Sequence, residues 1–362
     1  MKRTKKALCV LLGAVMSCSS AALLTGCGGD EIGKNGEVNI YNWGDYIAEG
    51  QYGLMNVIDE FEKETLIKVN YTTYDTNEEM YNKLKNSNDN YDVVVPSEYM
   101  ISKLIREKLL QKINYDNVPN YKYINKRFKN LPCDPDNQYT VCCTWGVTAL
   151  VYDKTKVKSK PADWNALWDK NLSGNILMIN NSRDAMAIAM QTLGINPAEK
   201  FTKADVDKAT QKLKEQKPLI KKYVMDQVFT EMEGGQAAIA PYYAGDIAMM
   251  MEENDDLDYV LPKNGSNLFF DAFCIPASSK NKENAEKFIN FMEKPEIAAE
   301  NCKYLRYGCP NDEAVKLLPE DIKNSELTFP SDEYLNKCYI FSDVGDDIYA
   351  YMQEQFVNIQ AE

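Results

Sequence analysis

The stretch Val38–Gly50, VNIYNWGDYIAEG, decides how this chain is read. Val38 and Ile40 alternate with more polar neighbours, the period of a strand. Trp43, Asp45 and Tyr46 then crowd together where that strand should stop. An indole, a carboxylate and a phenol at the exposed end of a strand need a reason. The sequence on either side supplies one.

Downstream, Leu54, Val57, Ile58 and Phe61 fall on one helical face, and Ile67, Val69 and Tyr71 alternate as a returning strand. Asn77 to Leu84 reads as a helix with Met80, Tyr81 and Leu84 on one side. Val93 to Val95 is a short apolar strand of the kind buried in parallel sheets, followed by a helical stripe of Ile101, Leu104, Ile105 and Leu109. The result is β-α-β-α-β-α, the pattern of an open α/β sheet. A second unit begins after Trp145-Gly146. It holds a strand over 176–179, a helix with Met186, Ile188 and Met190, an exposed helix over 206–213 and a strand over 237–240. A helix from Gly245 to Met251, a strand-like LFFDAFCI (268–275) and a helix over 285–292 complete it.

In open α/β sheets, ligands bind beyond the carboxyl ends of the strands. Trp43, Asp45 and Tyr46 follow the first strand. Ser97 and Tyr99 follow the third, Asn181 and Asp184 follow ILMI, and Tyr243 and Asp246 follow AAIA. Four strand ends in two units carry an aromatic or a carboxylate. Asp271 interrupts an apolar run, where an unpaired carboxylate is costly and calls for compensation.

Upstream, Lys2, Arg3, Lys5 and Lys6 precede a short apolar run, and LLTGC (23–27) matches a bacterial lipobox. Residues 1–26 read as a lipoprotein signal peptide, Cys27 as the lipidated residue, and 27–36 as a tether. The chain carries 41 basic and 54 acidic residues, net −13, and losing four basic residues with the signal takes it to −17. Such a balance argues against nucleic acid and against electrostatic adhesion to anionic lipid, and favours a cationic partner. About two domains are expected for this length. No histidine is present, so triad hydrolases and histidine-dependent metalloenzymes are disfavoured, whereas carboxylate chemistry survives. Seven cysteines remain after Cys9, Cys18 and Cys27 are set aside, an odd number that leaves one free or paired between chains. Cys302 and Cys309 are near enough in sequence to pair, and Cys142-Cys143 lacks metal-site or redox spacing.

Carboxylates and ring faces suit an alkyl cation. An ammonium–carboxylate contact contributes up to about 4 kcal/mol at 4 Å with an effective dielectric near 20, before desolvation. An ammonium over a ring adds roughly 0.5–2 kcal/mol, and each buried methylene about 0.8 kcal/mol. A polyamine offers both parts.

From Val38 nearly to the C-terminus, the chain resembles the polyamine-binding proteins of ABC importers, the spermidine/putrescine type. The matching stretches are YNWGDYI (41–47), YDVVVPSEYM (91–100), CTWGVTALVYD (143–153), DWNALWDKNLSGNILMIN (163–180), YYAGD (242–246), FFDAFCIP (269–276), RYGCPN (306–311) and SDVGDD (342–347). The resemblance implies a type II, two-lobed periplasmic-binding-protein-like α/β fold, each lobe an open mixed sheet with helices on both faces. The expected division is 37–145 plus 271–310 for one lobe and 146–270 plus 311–362 for the other. It implies a non-catalytic receptor on the extracytoplasmic face of the membrane, lipid-anchored and monomeric, that hands its ligand to membrane permease subunits and needs no cofactor or metal. Its ligand-lining positions fall on Trp43, Asp45, Tyr46, Ser97, Tyr99, Asp184, Tyr243, Phe269, Asp271 and Tyr307, with Asp246 matching an acid of putrescine-preferring members. This chain departs from the spermidine pattern at Asn181, where an acid is usual, at Tyr243 and Phe269, where tryptophans are usual, and at Phe341, where a glutamine is usual. Those departures tilt the expectation toward a diamine such as putrescine.

Other readings of the same residues stay open here. Trp43 alone reads equally as packing, Asp184 and Asp246 as first-turn helix charges, and Ser97 as an N-cap. Asp184, Asp246 and Asp271 could instead serve a glycoside hydrolase. Tyr242, Tyr243 and Tyr307 could ligate ferric iron as phenolates.

Overall fold

A computed structural model describes residues 31–86, 89–341 and 343–361. The expected signal segment and Cys27 lie outside the described residues. Eleven strands are described: β1 (Glu37–Trp43), β2 (Lys68–Tyr74), β3 (Val93–Val94), β4 (Leu110–Gln111), β5 (Val141–Asp153), β6 (Ile176–Ile179), β7 (Ile220–Val224), β8 (Ile239–Tyr243), β9 (Leu257–Val260), β10 (Leu268–Phe273) and β11 (Ile275–Pro276). The helices are α1 (Val57–Thr65), α2 (Asn77–Asn86), α3 (Glu98–Arg106), α4 (Ser182–Thr192), α5 (Lys203–Gln216), α6 (Gln227–Glu233), α7 (Ala244–Glu253), α8 (Lys282–Met292), α9 (Pro295–Leu305), α10 (Asp312–Leu317), α11 (Glu320–Lys323), α12 (Asp332–Leu335) and α13 (Asp346–Ala361).

The first lobe centres on the parallel sheet β2-β1-β3. β1 lies in the middle because both of its faces are apolar: Val38 and Ile40 are fully buried, and Tyr41 is nearly so. α1 starts at an Asn56 cap that accepts from Ile58 N and Asp59 N, and buries Val57 and Phe61. α3 ends sooner than the apolar stripe suggests. Lys108 takes left-handed backbone (φ 59°), which breaks the helix before Leu109.

The second lobe is a six-stranded sheet, β10-β5-β8-β6-β7, with β9 also paired to β5. β6 is buried along its whole length and pairs in parallel with β7 and β8. β8 runs from Ile239 to Tyr243, later than the AAIA reading, so Tyr243 is its last residue. α5 is not simply exposed: Val206, Ala209 and Leu213 are buried where it packs on α4 and α13.

The two lobes are joined through β5 and β10, which pair antiparallel. Residues 141–147 of β5 pair with β10, and residues 148–152 pair with β8. The far end of β10 reaches the first lobe: Asp271 bridges to Ser97, and Cys274 to Val94. One strand pair therefore belongs to both lobes. No helix among the described residues is long and apolar enough to cross a membrane.

Candidate functional site

Asp271 lies where β10 passes between lobes. The pairing register slips there: Asp271 faces Thr144 and Ala272 faces Cys142, leaving Cys143 as the extra residue of a bulge. A bulge re-aims side chains, here at a strand crossing. Asp271 is buried, and its carboxylate accepts from Ser97 Oγ at 2.6 Å and Tyr46 Oη at 2.5 Å. The compensation expected for this carboxylate is thus two neutral hydroxyls, with no ion pair to a cation among the described residues. Burial pushes its pKa up to about 6 against those hydrogen bonds. Ser97 occupies the N-cap position of α3 but makes no capping bond; its hydroxyl goes to Asp271.

Two more carboxylates follow the same pattern. Asp184, in the first turn of α4, is buried and accepts from Tyr243 Oη at 2.9 Å. Its Oδ1 has no partner among the described residues. Burial raises its pKa to about 6, with the Tyr243 bond and Arg183 opposing. Asp246, third residue of α7 and partly exposed, stands beside the Tyr307 hydroxyl, which lowers its pKa against the burial that pushes it up to about 7. Three carboxylates thus each face a phenol. The phenols are held well above their ordinary pKa by burial first and by the adjacent carboxylates second.

The rings form a continuous row. Trp43 and Tyr46 have centroids 6.4 Å apart, Tyr46 and Tyr307 6.4 Å, Tyr307 and Phe269 5.7 Å, and Phe269 and Tyr243 5.4 Å. Trp43 is fixed by donation from Nε1 to Val95 O at 2.8 Å and by the Tyr74 ring at 4.7 Å. Two glycines make room for Tyr307. A Cβ at Gly245 would stand 2.7 Å from its ring, and one at Gly146 would stand 3.0 Å from it and 2.8 Å from Phe269. The glycines in the TWG and YYAG motifs are therefore space for the row.

Not every expected position joins it. Asp45 is exposed in the turn after β1, on left-handed backbone (φ 50°). Asn181 spends its Oδ1 capping α4, accepting from Arg183 N at 3.0 Å and Asp184 N at 3.3 Å. Tyr99 donates to Glu78 at 3.1 Å and carries the Arg183 guanidinium over its ring at 3.4 Å. The sequence reading passed over Arg183, Glu98 and Tyr349, all beside these groups. Arg183 and Glu98 had a signal, since each abuts a flagged residue. The seven described cysteines are all free, and the Cys302 thiol donates to Tyr307 O at 3.1 Å and not to Cys309.

A two-lobed α/β molecule whose lobes share a strand pair, with charged and aromatic side chains gathered from both, is a solute receptor by architecture. Residues 56–330 match the family described as bacterial extracellular solute-binding protein, and the chain belongs to that family. It is 31% identical over 329 residues to the spermidine/putrescine-binding periplasmic protein of Escherichia coli K12, covering 90% of this chain and 92% of the relative. It is 30% identical over 365 residues to the putrescine-binding periplasmic protein SpuD of Pseudomonas aeruginosa, covering 95% of each. Among solved structures, the spermidine/putrescine ABC transporter substrate-binding protein PotD of Streptococcus pneumoniae superposes with a TM-score of 0.79. Its sequence identity is 33%, over 90% of this chain and 98% of that one. Membership of an extracellular solute-binding family puts the protein on the extracytoplasmic side of the membrane.

Proposed function

We propose that this protein is a polyamine receptor that captures a cationic aliphatic amine outside the membrane and delivers it to an ABC-type importer. The carrying observation is the set of three carboxylates, Asp184, Asp246 and Asp271, each beside a neutral hydroxyl, none in an ion pair among the described residues, and strung along one row of rings. A carboxylate desolvated without a cation is costly, and an incoming ammonium relieves that cost. The ring faces attract the charge and cover the methylenes between charges. Trp43, Tyr46, Ser97, Tyr99, Tyr243, Phe269 and Tyr307 line the slot, with Asn181 shaping it through its cap and Asp45 at its mouth. The names of the relatives favour the same ligand class and the same kind of transporter partner.

Both lobes contribute: Tyr46 and Ser97 come from the first, Asp184 and Asp246 from the second. A ligand that touches both stabilises their contact, which is how such a receptor signals occupancy. The lobes divide near 145/146 and 270/271, within β5 and β10. The receptor performs no chemistry on its ligand and is held to the membrane by a lipid on Cys27. Calorimetric titration of purified protein with putrescine, cadaverine, spermidine and spermine is the test. Saturable binding of at least one amine with 1:1 stoichiometry is expected; indifference to all four would overturn the reading.

A further inference from the structure

α13 is anchored at one end and reaches across at the other. Its C-terminal half is held on the second lobe: Lys217 Nζ donates to Ile359 O at 2.9 Å and to Gln360 O at 2.8 Å, and Tyr351 donates to Asp207 at 2.6 Å. Its start, with the residues just before it, meets α2 and α3 of the first lobe. Arg106, last residue of α3, pairs with Asp343, and with Asp346 at 3.1 Å. Lys103 pairs with Asp346 at 2.7 Å, besides the neighbouring Glu107 at 3.1 Å. Further in, Glu78 of α2 accepts from Tyr349 at 2.5 Å and from Tyr99 at 3.1 Å. Arg183 of α4 lies 3.4 Å from the centroid of the Tyr99 ring and 4.7 Å from that of Tyr349. Arg106, Lys103 and Glu78 of the first lobe thus each hold a residue at the start of α13, and Arg183 of the second lobe holds a ring of the first. α3 also offers Ser97 to Asp271 at its other end, so this grip and the ligand slot share one helix.

Resting on the polyamine reading, we propose that the start of α13 is a latch between the lobes: its grip on α2 and α3 sets how tightly and how long the amine is held, without touching it. Each exposed pair contributes little to the fold by itself. Parting the lobes breaks all of them in one step, together with the Tyr349–Glu78 bond. They therefore add to what the amine contributes to the closed arrangement. Apparent affinity for a ligand held between lobes scales with the fraction of molecules whose lobes are together. The charges suit their own helices as well as each other, bases at the end of α3 and an acid in the first turn of α13. Because the ion pairs are exposed, salt weakens this part of the grip.

The test is calorimetric titration with putrescine and with spermidine, and stopped-flow tryptophan fluorescence for the rate of amine release. Wild type, Arg106→Glu, Arg106→Glu/Asp343→Arg and Tyr349→Phe are compared, each checked by thermal melting. At about 20 mM salt, Arg106→Glu should weaken binding about three- to tenfold, through faster release. The double variant restores an opposite pair and should recover most of that loss. At about 500 mM salt the gap between wild type and Arg106→Glu should close. Tyr349→Phe removes the hydroxyl given to Glu78 and should weaken binding about threefold or more at either salt concentration. It keeps the ring and decides the matter if Arg106→Glu does not fold. Unchanged affinity and release in both Arg106→Glu and Tyr349→Phe overturn the latch and leave the polyamine reading standing. A loss in Arg106→Glu that neither the swapped pair nor salt relieves also overturns it, because local damage behaves that way. Failure of wild type to bind either amine overturns the underlying reading together with this one.

Discussion

Asp271 concentrates the argument at the scale of single residues. A carboxylate in a run of LFFDAF is a conflict between burial and charge, and the fold resolves it with Ser97 and Tyr46 only. Neutral donors satisfy the oxygens but supply no positive charge. Asp271→Asn removes the charge and keeps the shape. Charge-assisted hydrogen bonds contribute roughly 1.5–3 kcal/mol, so amine affinity should fall by about 10- to 150-fold. The melting temperature of the ligand-free variant at pH 8 should equal or exceed that of wild type, since an uncompensated buried charge has been removed. Titration and a thermal melt on one preparation check both, and undiminished affinity would remove Asp271 from the slot.

At the scale of elements, the positions of the site residues depend on how strands are tied down. Asp92, just before β3, is fully buried and gathers four donors within 3.1 Å: Asn39 N at 2.9 Å, Asn39 Nδ2 at 2.8 Å, Ser279 Oγ at 2.7 Å and Asn281 Nδ2 at 3.1 Å. It thereby locks β1 and β3 to the start of α8. Asp92→Ala leaves several of those donors unpaired at once, and a loss of about 3 kcal/mol in unfolding free energy is expected. Urea denaturation measures it, and a change below about 1 kcal/mol would show that the hub is dispensable. β5 acts at the same scale. Its 13 residues hold Gly146, against which Tyr307 and Phe269 pack, at the middle of the strand pair common to both lobes.

Over the whole molecule, the lobes touch through groups outside the ring row. Tyr349 donates to Glu78 at 2.5 Å, Lys103 pairs with Asp346 at 2.7 Å, and Arg106 pairs with Asp343 and Asp346. The exposed pairs contribute little, about 0–1 kcal/mol each, and are screened by salt. Three carboxylates along the ring row contribute to the pH response. Burial pushes Asp184, Asp246 and Asp271 up to about 6, 7 and 6 in the folded chain, above the ordinary value near 4 of an unfolded one. Between about pH 4 and 7 the folded state therefore holds more protons than the unfolded state. Stability from these groups is complete below pH 4 and is lost as pH rises through 6–7. A cation binds the ionised forms, so amine affinity should rise over the same interval. Calorimetry at pH 6 in two buffers of different ionisation enthalpy should detect proton release on binding, shrinking toward pH 8. Affinity that is flat from pH 5 to 8 would contradict the shared titration.

Local pattern alone was enough for the α/β character, for most strands and helices, and for the suspicion that Trp43, Tyr46, Asp184, Tyr243 and Asp246 stand at strand ends and that Asp271 is a charge inside an apolar strand. Alternation and helical stripes are short-range signals, and a charge in an apolar run is visible without coordinates. Pairing was not visible. That Ser97 turns from capping its helix to bonding Asp271, and that Tyr307 lies against Gly146 and Gly245, depend on contacts between residues distant in the chain. The same holds for Arg183, whose place among Tyr99, Phe341 and Tyr349 arises only when both lobes and the C-terminal segment meet. Sequence determines which groups a chain carries and what each segment prefers; the tertiary fold decides which charges lose water together, and that desolvation sets what the slot can hold.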